Sequence, residues 1–475
     1  MVLKRKEPEG SNTDRRRKAR LCVRGFLQEQ GVNYNMTFAP VATYNSLRMF
    51  LSAMATLDYE IDTVDIKTAF LLSNIKEEVY INIPEGYPCS DKTKVLRLKK
   101  CLYGLKQAPM EWNAELDSHL KSLGFVPTVS DPCIYVCHAR KEFILVYVDD
   151  LVIAAKLRER MQHIKDAIHA KLPLSDKGPI NRFLNIHFKR DRKLRQIFMS
   201  QPVKIANVLE DQQLSSDDLD IVRVPSKVPA CPNTMLNEQM CPDTAAETAR
   251  MAKVPYKSIL GQVLFIAITA RPDLATAVSA CGKFAHKPGK EHWLALLRVL
   301  SYLQGTRDLE LVLGGCATSI NLSAYSDADW AGDLDRRKSR SGYIILMNES
   351  PIIWSSKLQP SVALSSTEAE YIALSLASRD VIWCRALLAE LGFPQREPTT
   401  IYEDNDSCIK IAQSAKQLPG VKHIDIRHHF IRDRIHSGEI QLERMRTGDM
   451  VADILTKQLP YPAFKKHRSG LKLQY

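Results

Sequence analysis

The stretch FILVYVDDLVIAA, from Phe143 to Ala155, constrains the fold of this chain more than any other. Two apolar runs, each long enough for a strand, flank only Asp149 and Asp150. A two-residue gap between strand-like runs predicts a tight β-hairpin with both aspartates at its tip. Both runs are continuously apolar rather than alternating, so the strands are expected to be buried on both faces. Two like charges about 4 Å apart repel by roughly 4 kcal/mol at an effective dielectric near 20, so adjacent carboxylates there need something to offset them. A divalent cation would do so, and carboxylate oxygens suit Mg²⁺. The competing reading is a solvated turn that happens to use aspartate.

Other acids stand in similar settings. In YEIDTVDIKTAF, Asp65 lies among β-formers, where an unpaired carboxylate is costly to bury. A salt bridge to Lys67 or to a distant arginine is one reading. A three-carboxylate metal cluster with the hairpin pair is the other. Near the C-terminus, INLSAYSDADW predicts a strand ending at Asp327, and SGYIILMNESPIIWSSK a hairpin turning at Asn348 to Ser350. LSSTEAEYIALSLASRDVIW is then a helix capped by Ser365 and Glu368 as a capping box. Glu370 shares a helical face with Ala373, Leu374 and Ala377, and a carboxylate on an apolar face needs a partner. TTIYEDNDS predicts a strand ending at Asp404, with Asp406 as an alternative, and a helix around MVADILTK carries Asp453. Asp329 and Asp333 read as surface residues.

Composition bears on the partner. Sixty-six Lys and Arg against 54 Asp and Glu leave a net charge of +12 over 475 residues. That surplus favours a polyanion, and the length allows two or three domains. Eleven cysteines, odd in number and scattered, do not form a disulfide framework and read as thiols in a reducing compartment. Cys133 and Cys137 are spaced like half a zinc site, with no matching pair after them. No apolar core follows the N-terminal charges as in a signal peptide, and the apolar run Ile259 to Ala270 is too short for a bilayer. An intracellular, soluble protein is expected.

Between these features, the basic N-terminus reads either as a tail or import signal or as a phosphate-binding hairpin turning at EPEGSN. Tyr44 to Tyr59 has helical spacing, with Asn45 or Ser46 as cap. VLRLKKCLYGLKQAPMEW sets Gly104 in a basic, aromatic-flanked loop before a helix started by Pro109. Its amides and Lys106 could hold a nucleotide or template, or the loop could be a plain junction. Residues 211 to 255, with five prolines, read as a linker. Three helices are expected over 256–270, 273–286 and 290–303. Phe284, His286, Trp293, Arg298 and Tyr302 along them suit either primer–template contact or a helical core.

Taken in order, VDIKTAFL, EEVYINIPEGY, CLYGLKQAP, SDPCIYV and YVDDLVIAA resemble the reverse transcriptase of copia-type LTR retrotransposons. YSDADWAGD, SSTEAEYIAL, YEDNDS, HIDIRHHFIR and ADILTK resemble that family's ribonuclease H. The resemblance implies an α+β and α/β multidomain protein: a right-hand polymerase of fingers, palm and thumb, then a ribonuclease H-like mixed sheet. The domains would be 1–200 (fingers and palm, the chain starting partway into the fingers), 201–315 (linker and helical thumb or connection) and 316–475 (ribonuclease H-like). It implies that Asp65, Asp149 and Asp150 hold two Mg²⁺ for polymerisation, and Asp327, Glu370, Asp404 and Asp453 two for RNA hydrolysis, with Mn²⁺ as a substitute. Lys18, Arg20 and Arg24 become candidates for triphosphate contacts. Phe70 matches the residue that excludes a 2′-hydroxyl, and Tyr103, Gly104 and Lys106 the loop beside incoming nucleotide and template. LSDKGPINRFLNIHF resembles the primer-grip region, with Asn185 where the family usually has Gly. His423, His428 and His429 are expected to make duplex or structural contacts. The implied partners are RNA and DNA template–primer, RNA–DNA hybrid, dNTPs and other polyprotein products, with no membrane. The implied setting is the cytoplasm, in virus-like particles, or the nucleus. A relic that binds nucleic acid without polymerising is the second reading.

Overall fold

A computed structural model describes residues 2–5, 17–89, 91, 93–211, 213–232, 234–414 and 425–475. The turn EPEGSN and His423 lie outside the described residues, as do the side chains of Lys18 and His428. The chain forms two compact units, Met1–Ala42 with Glu60–Pro179, and Thr43–Tyr59 with Ile180–Tyr475. A helix from the N-terminal third, Tyr44–Thr56, packs in the second unit.

The first unit is built on a six-stranded antiparallel sheet. Its order is Leu174–Pro179, Glu60–Ile66, Asp150–Ala155, Glu142–Tyr147, Ile134–Cys137 and Val126–Pro127. The helices Ala108–Ser122 and Arg158–His169 pack on one face, where Trp112, Leu116 and Ile164 meet Val64, Ile144, Leu151 and Ile153. Phe143, Leu145, Val152 and Ala154 on the other face are also buried, as the unbroken apolar runs predict. The hairpin tip differs by one residue from the expectation. Tyr147 pairs with Asp150, so the two-residue turn is Val148–Asp149 and Asp150 begins the second strand. An apolar Val148 reads as strand, yet its φ is 59°, a strained conformation for a β-branched residue. The Trp112 indole donates a 2.6 Å hydrogen bond to the Val148 carbonyl and holds the turn there.

In the second unit, the helix Tyr44–Thr56 is capped by Thr43, whose hydroxyl accepts from the Ser46 amide, rather than by Asn45 or Ser46. Arg48 on this helix is fully buried. It donates to the carbonyls of Ile352, Ile268 and Thr269 and to Asn45, and lies 3.8 Å over the Trp354 ring. Burial without a carboxylate lowers its pKa to about 9. The segment read as a linker contains two short helices, Ser216–Arg223 and Ala245–Met251, each with a capping box. The helices Tyr256–Thr269, Ala275–Gly282 and Lys290–Gly305 follow. Trp293 and Tyr302 are buried, bonded to Asp218 and Asp273, which settles them as core.

One antiparallel sheet of this unit joins Arg182–Phe183, Ile186–Asp191, Gln196–Ser200, Glu310–Gly314 and Leu473–Gln474. Its first turn is Leu184–Asn185 with φ of 51° and 61°, and asparagine tolerates that region where the family has glycine. The other sheet runs Ser350–Leu358, Arg340–Met347, Leu322–Asp329, Thr399–Glu403 and Ile440–Arg444, the last two joining in parallel. Its hairpin turns at Asn348–Glu349, both left-handed, as a type I′ turn requires. The cysteines are free, Cys133 and Cys137 buried in the first unit. Among the described residues no single helix is long and apolar enough to cross a membrane.

Candidate active sites

The sheet of the first unit brings three of the expected acids together. Asp65 pairs in register with Asp150, and the Ile66 amide donates to the Asp149 carbonyl at 2.8 Å. All three aspartates are half-buried. Among the described residues Asp65 has no ion pair, so neither Lys67 nor an arginine neutralises it. Burial, then Asp149, then Asp65, push the Asp150 carboxyl up to about 6.

The loop that carries Tyr103, Gly104 and Lys106 lies beside them. Phe70 meets Tyr103 edge-on at 5.1 Å, and the Arg20 guanidinium lies 5.1 Å over the Tyr103 ring. Burial raises the Tyr103 hydroxyl pKa, and Asp149 and Asp65 add to it, which places these aromatics in the field of the acids. Gly104 has φ of 96°, and a Cβ there would fall 2.1 Å from the Val23 carbonyl. Glycine is therefore required for residues 22–23 to close on Tyr103, whose carbonyl takes the Val23 amide. The Lys106 ammonium is engaged instead, donating to the Gln28 carbonyl and the Tyr34 hydroxyl. It ties down the 28–34 turn with two of its three donors. Arg24 is exposed.

The second cluster is tighter. Asp327 and Asp404 lie two residues beyond the last paired position, Tyr325 with Tyr402, of the parallel strands. Glu370 comes from the helix Ser366–Glu390, whose cap Ser365 accepts from the Glu368 amide while Glu368 accepts from Leu364. Ligand oxygens of Asp327, Glu370 and Asp404 lie within 4.8 Å of one another, and no other three-residue group among the described residues reaches that span. Asp453, on the 3₁₀ helix Val451–Leu455, is joined through Lys457, whose ammonium is 2.6 Å from Asp453 and 3.2 Å from Asp327. The Thr456 hydroxyl donates to the other Asp327 oxygen. Asp406 is instead paired with Arg444 at 2.9 Å, so Asp404 is the cluster member.

Two partners in this cleft escaped the sequence reading. Glu403 is fully buried, accepting from the Ser326 hydroxyl at 2.8 Å and the Asn405 amide at 3.3 Å. The inward alternation of Thr399, Ile401 and Glu403 was its signal. Lys457 follows Asp453 by four residues, a helical-neighbour spacing. Asp333 is buried and bound by Lys283, and Asp329 is half-buried, so neither is the surface residue expected. His429 is exposed.

Desolvation first, then Glu403, Asp327 and Asp404, push the Glu370 carboxyl up to about 11. One Glu370 oxygen is buried with no hydrogen-bond partner. An all-carboxylate donor set with an orphaned buried oxygen fits a hard divalent cation.

Residues 1–225 match the family described as reverse transcriptase (RNA-dependent DNA polymerase). The chain is similar to the Retrovirus-related Pol polyprotein from transposon TNT 1-94 of Nicotiana tabacum, 39% identical over 454 residues. That match covers 95% of this chain but 34% of the tobacco polyprotein. A transposon Ty5-1 protein of Saccharomyces cerevisiae is 32% identical over 316 residues, which cover 66% of this chain and 98% of that one. Among solved structures, the foamy viral protease-reverse transcriptase in complex with dsDNA aligns at TM-score 0.46 and 16% identity, over 92% of this chain and 76% of that one. The chain belongs to the copia-type LTR retrotransposon Pol family, with its reverse transcriptase in residues 1–225.

Proposed function

We propose that this chain is an RNA-directed DNA polymerase that extends a primer with dNTPs on an RNA or DNA template and cuts the RNA of RNA–DNA hybrids. The observation that carries the proposal is that one chain of this family bears two carboxylate clusters, each gathered at the ends of neighbouring strands inside a sheet. Asp65, Asp149 and Asp150 hold Mg²⁺ at the hairpin, and Asp327, Glu370, Asp404 and Asp453 hold it in the cleft. Bound there, the ions supply charge neutralisation and an activated oxygen nucleophile, a primer hydroxyl or a water. The strained Val148–Asp149 turn orients two carboxylates towards the strand that carries the third. Phe70 and Tyr103 wall the space where a sugar would lie, and Arg20 and Arg24 offer guanidinium groups to a triphosphate. In the cleft, Lys457 and Thr456 hold both Asp327 oxygens, so Asp327 is the acid that moves least on binding. The net charge of +12 makes backbone affinity fall steeply with salt. Other polyprotein products are the proposed assembly partners, in the cytoplasm or the nucleus.

Primer extension on an RNA template with Mg²⁺ tests the polymerase half. Extension by wild type that is lost in Asp149→Asn is expected. Absent extension, or extension unchanged by that substitution, would leave only the reading as a nucleic-acid-binding relic.

A further inference from the structure

Between the helix Ser216–Arg223, the loop after it and the helices Ala275–Gly282 and Lys290–Gly305 lies a cavity of about 570 Å³. Ile221, Val224, Pro229, Ala280 and Leu294 give it carbon walls. This volume is that of a site for a small organic molecule. The Ser301 hydroxyl on its wall is already committed to the Val224 carbonyl. Arg298 is different. It is the one cationic side chain lining the cavity, and its Nε is buried with no hydrogen-bond partner. Among the described residues its guanidinium makes no ion pair either. A guanidinium Nε withdrawn from water without an acceptor is costly, and an anion is its complement.

The other charged lining residue, Glu291, stands seven positions earlier on the same helix, roughly 10 Å along the axis at 1.5 Å per residue. The two charges therefore sit at different ends of an apolar chamber, and a ligand with anions at both ends would be repelled. No aromatic side chain lines the walls, so an unstacked nucleobase gains nothing there. We infer that this cavity binds a small apolar monoanion, an aryl or branched aliphatic carboxylate or sulfonate, with the acidic group on Arg298. The site is independent of polymerisation and of hybrid cleavage.

The test uses the full chain and two probes with nearly the same apolar body, anilinonaphthalenesulfonate and the neutral phenylnaphthylamine, titrated by calorimetry and fluorescence. A single saturable site for the sulfonate is expected. Arg298→Leu should weaken the sulfonate by at least about tenfold, or roughly 1.4 kcal/mol, and leave the neutral probe within about twofold. Arg298→Gln should do the same if the leucine variant melts early. Leu294→Trp, at the half-open rim, should weaken both probes. Equal loss of both probes in the Arg298 variants, no loss of either, or sulfonate binding at several equivalent sites would overturn the assignment.

Discussion

At the hairpin, Asp65, Asp149 and Asp150 are half-buried, with no cation paired to Asp65 among the described residues and one carboxyl raised to about 6. In the cleft, Asp327, Glu370, Glu403 and Asp453 are buried, Lys457 bridges two of them, and Glu370 is raised to about 11. The first site tolerates its charges through solvent and a backbone turn bent out of its preferred region. The second tolerates them through protons and an internal ammonium. Hence the hairpin should be sensitive to what shapes the backbone, and the cleft to what shifts the charge balance.

Separating the two activities gives the largest effect. Asp150→Asn should cut primer extension, and Asp404→Asn hybrid cleavage, each by at least about 10³-fold, the several kcal/mol that metal-held charge supplies. The other activity should stay within a few-fold, and loss of both in either variant would mean the sites are not independent. Next comes charge balance. Lys457→Met leaves Asp327 and Asp453 facing each other, and should cost about 1–3 kcal/mol, discounted because the lysine is one-third exposed. A melt in chelator should show that loss and Mg²⁺ should restore most of it; an equal loss in both would contradict charge balancing. Trp112→Phe removes the bond to the Val148 carbonyl and should cost about 1–2 kcal/mol. Extension should fall while hybrid cleavage holds, and a fall in both would point to general unfolding.

The smallest effect is in the pH dependence without divalent ions. The Asp150 carboxyl moves from an ordinary 3.8 to about 6, so between these values the folded state binds more protons than the unfolded one. Stability contributed there falls as pH rises through that window and is flat above it. Asp150→Asn should remove this slope. Glu370, raised from 4.5 to about 11, adds to the fall from there into alkaline pH, so Glu370→Gln should flatten the part above pH 6 and lessen the slope just below it. Urea melts at several pH values separate the two windows.

Much of both sites was legible because period-two and period-3.6 patterns place side chains locally. The hairpin, the helix bearing Glu370 and the order of the acids follow from such patterns. The turn was displaced by one residue because Val148 looks like strand, and its carbonyl is held by Trp112, 36 positions away. Asp404 and Asp406 could not be separated without Arg444, which lies on another strand. Lys106 carries a charge and a motif that point to a ligand, yet Gln28 and Tyr34 claim its ammonium. Arg48 reads as a polar position on an amphipathic helix; only the meeting of distant carbonyls with Trp354 makes it a core residue.

The helix Tyr44–Thr56 has a consequence for how the chain is made. It is made more than 200 residues before its partners: its Ser52 hydroxyl takes the Gly314 amide, and its Arg48 waits for carbonyls at 268, 269 and 352. The sheet that contains Gly314 is closed at its edge by Leu473–Gln474, some 160 residues further along the chain. The second unit thus cannot complete its core until residue 474 has been made, while every strand of the first sheet is available by residue 179. A fragment cut at Ile180 would be born without one of its own walls, and a co-expressed peptide spanning 43–59 would be the means of restoring it.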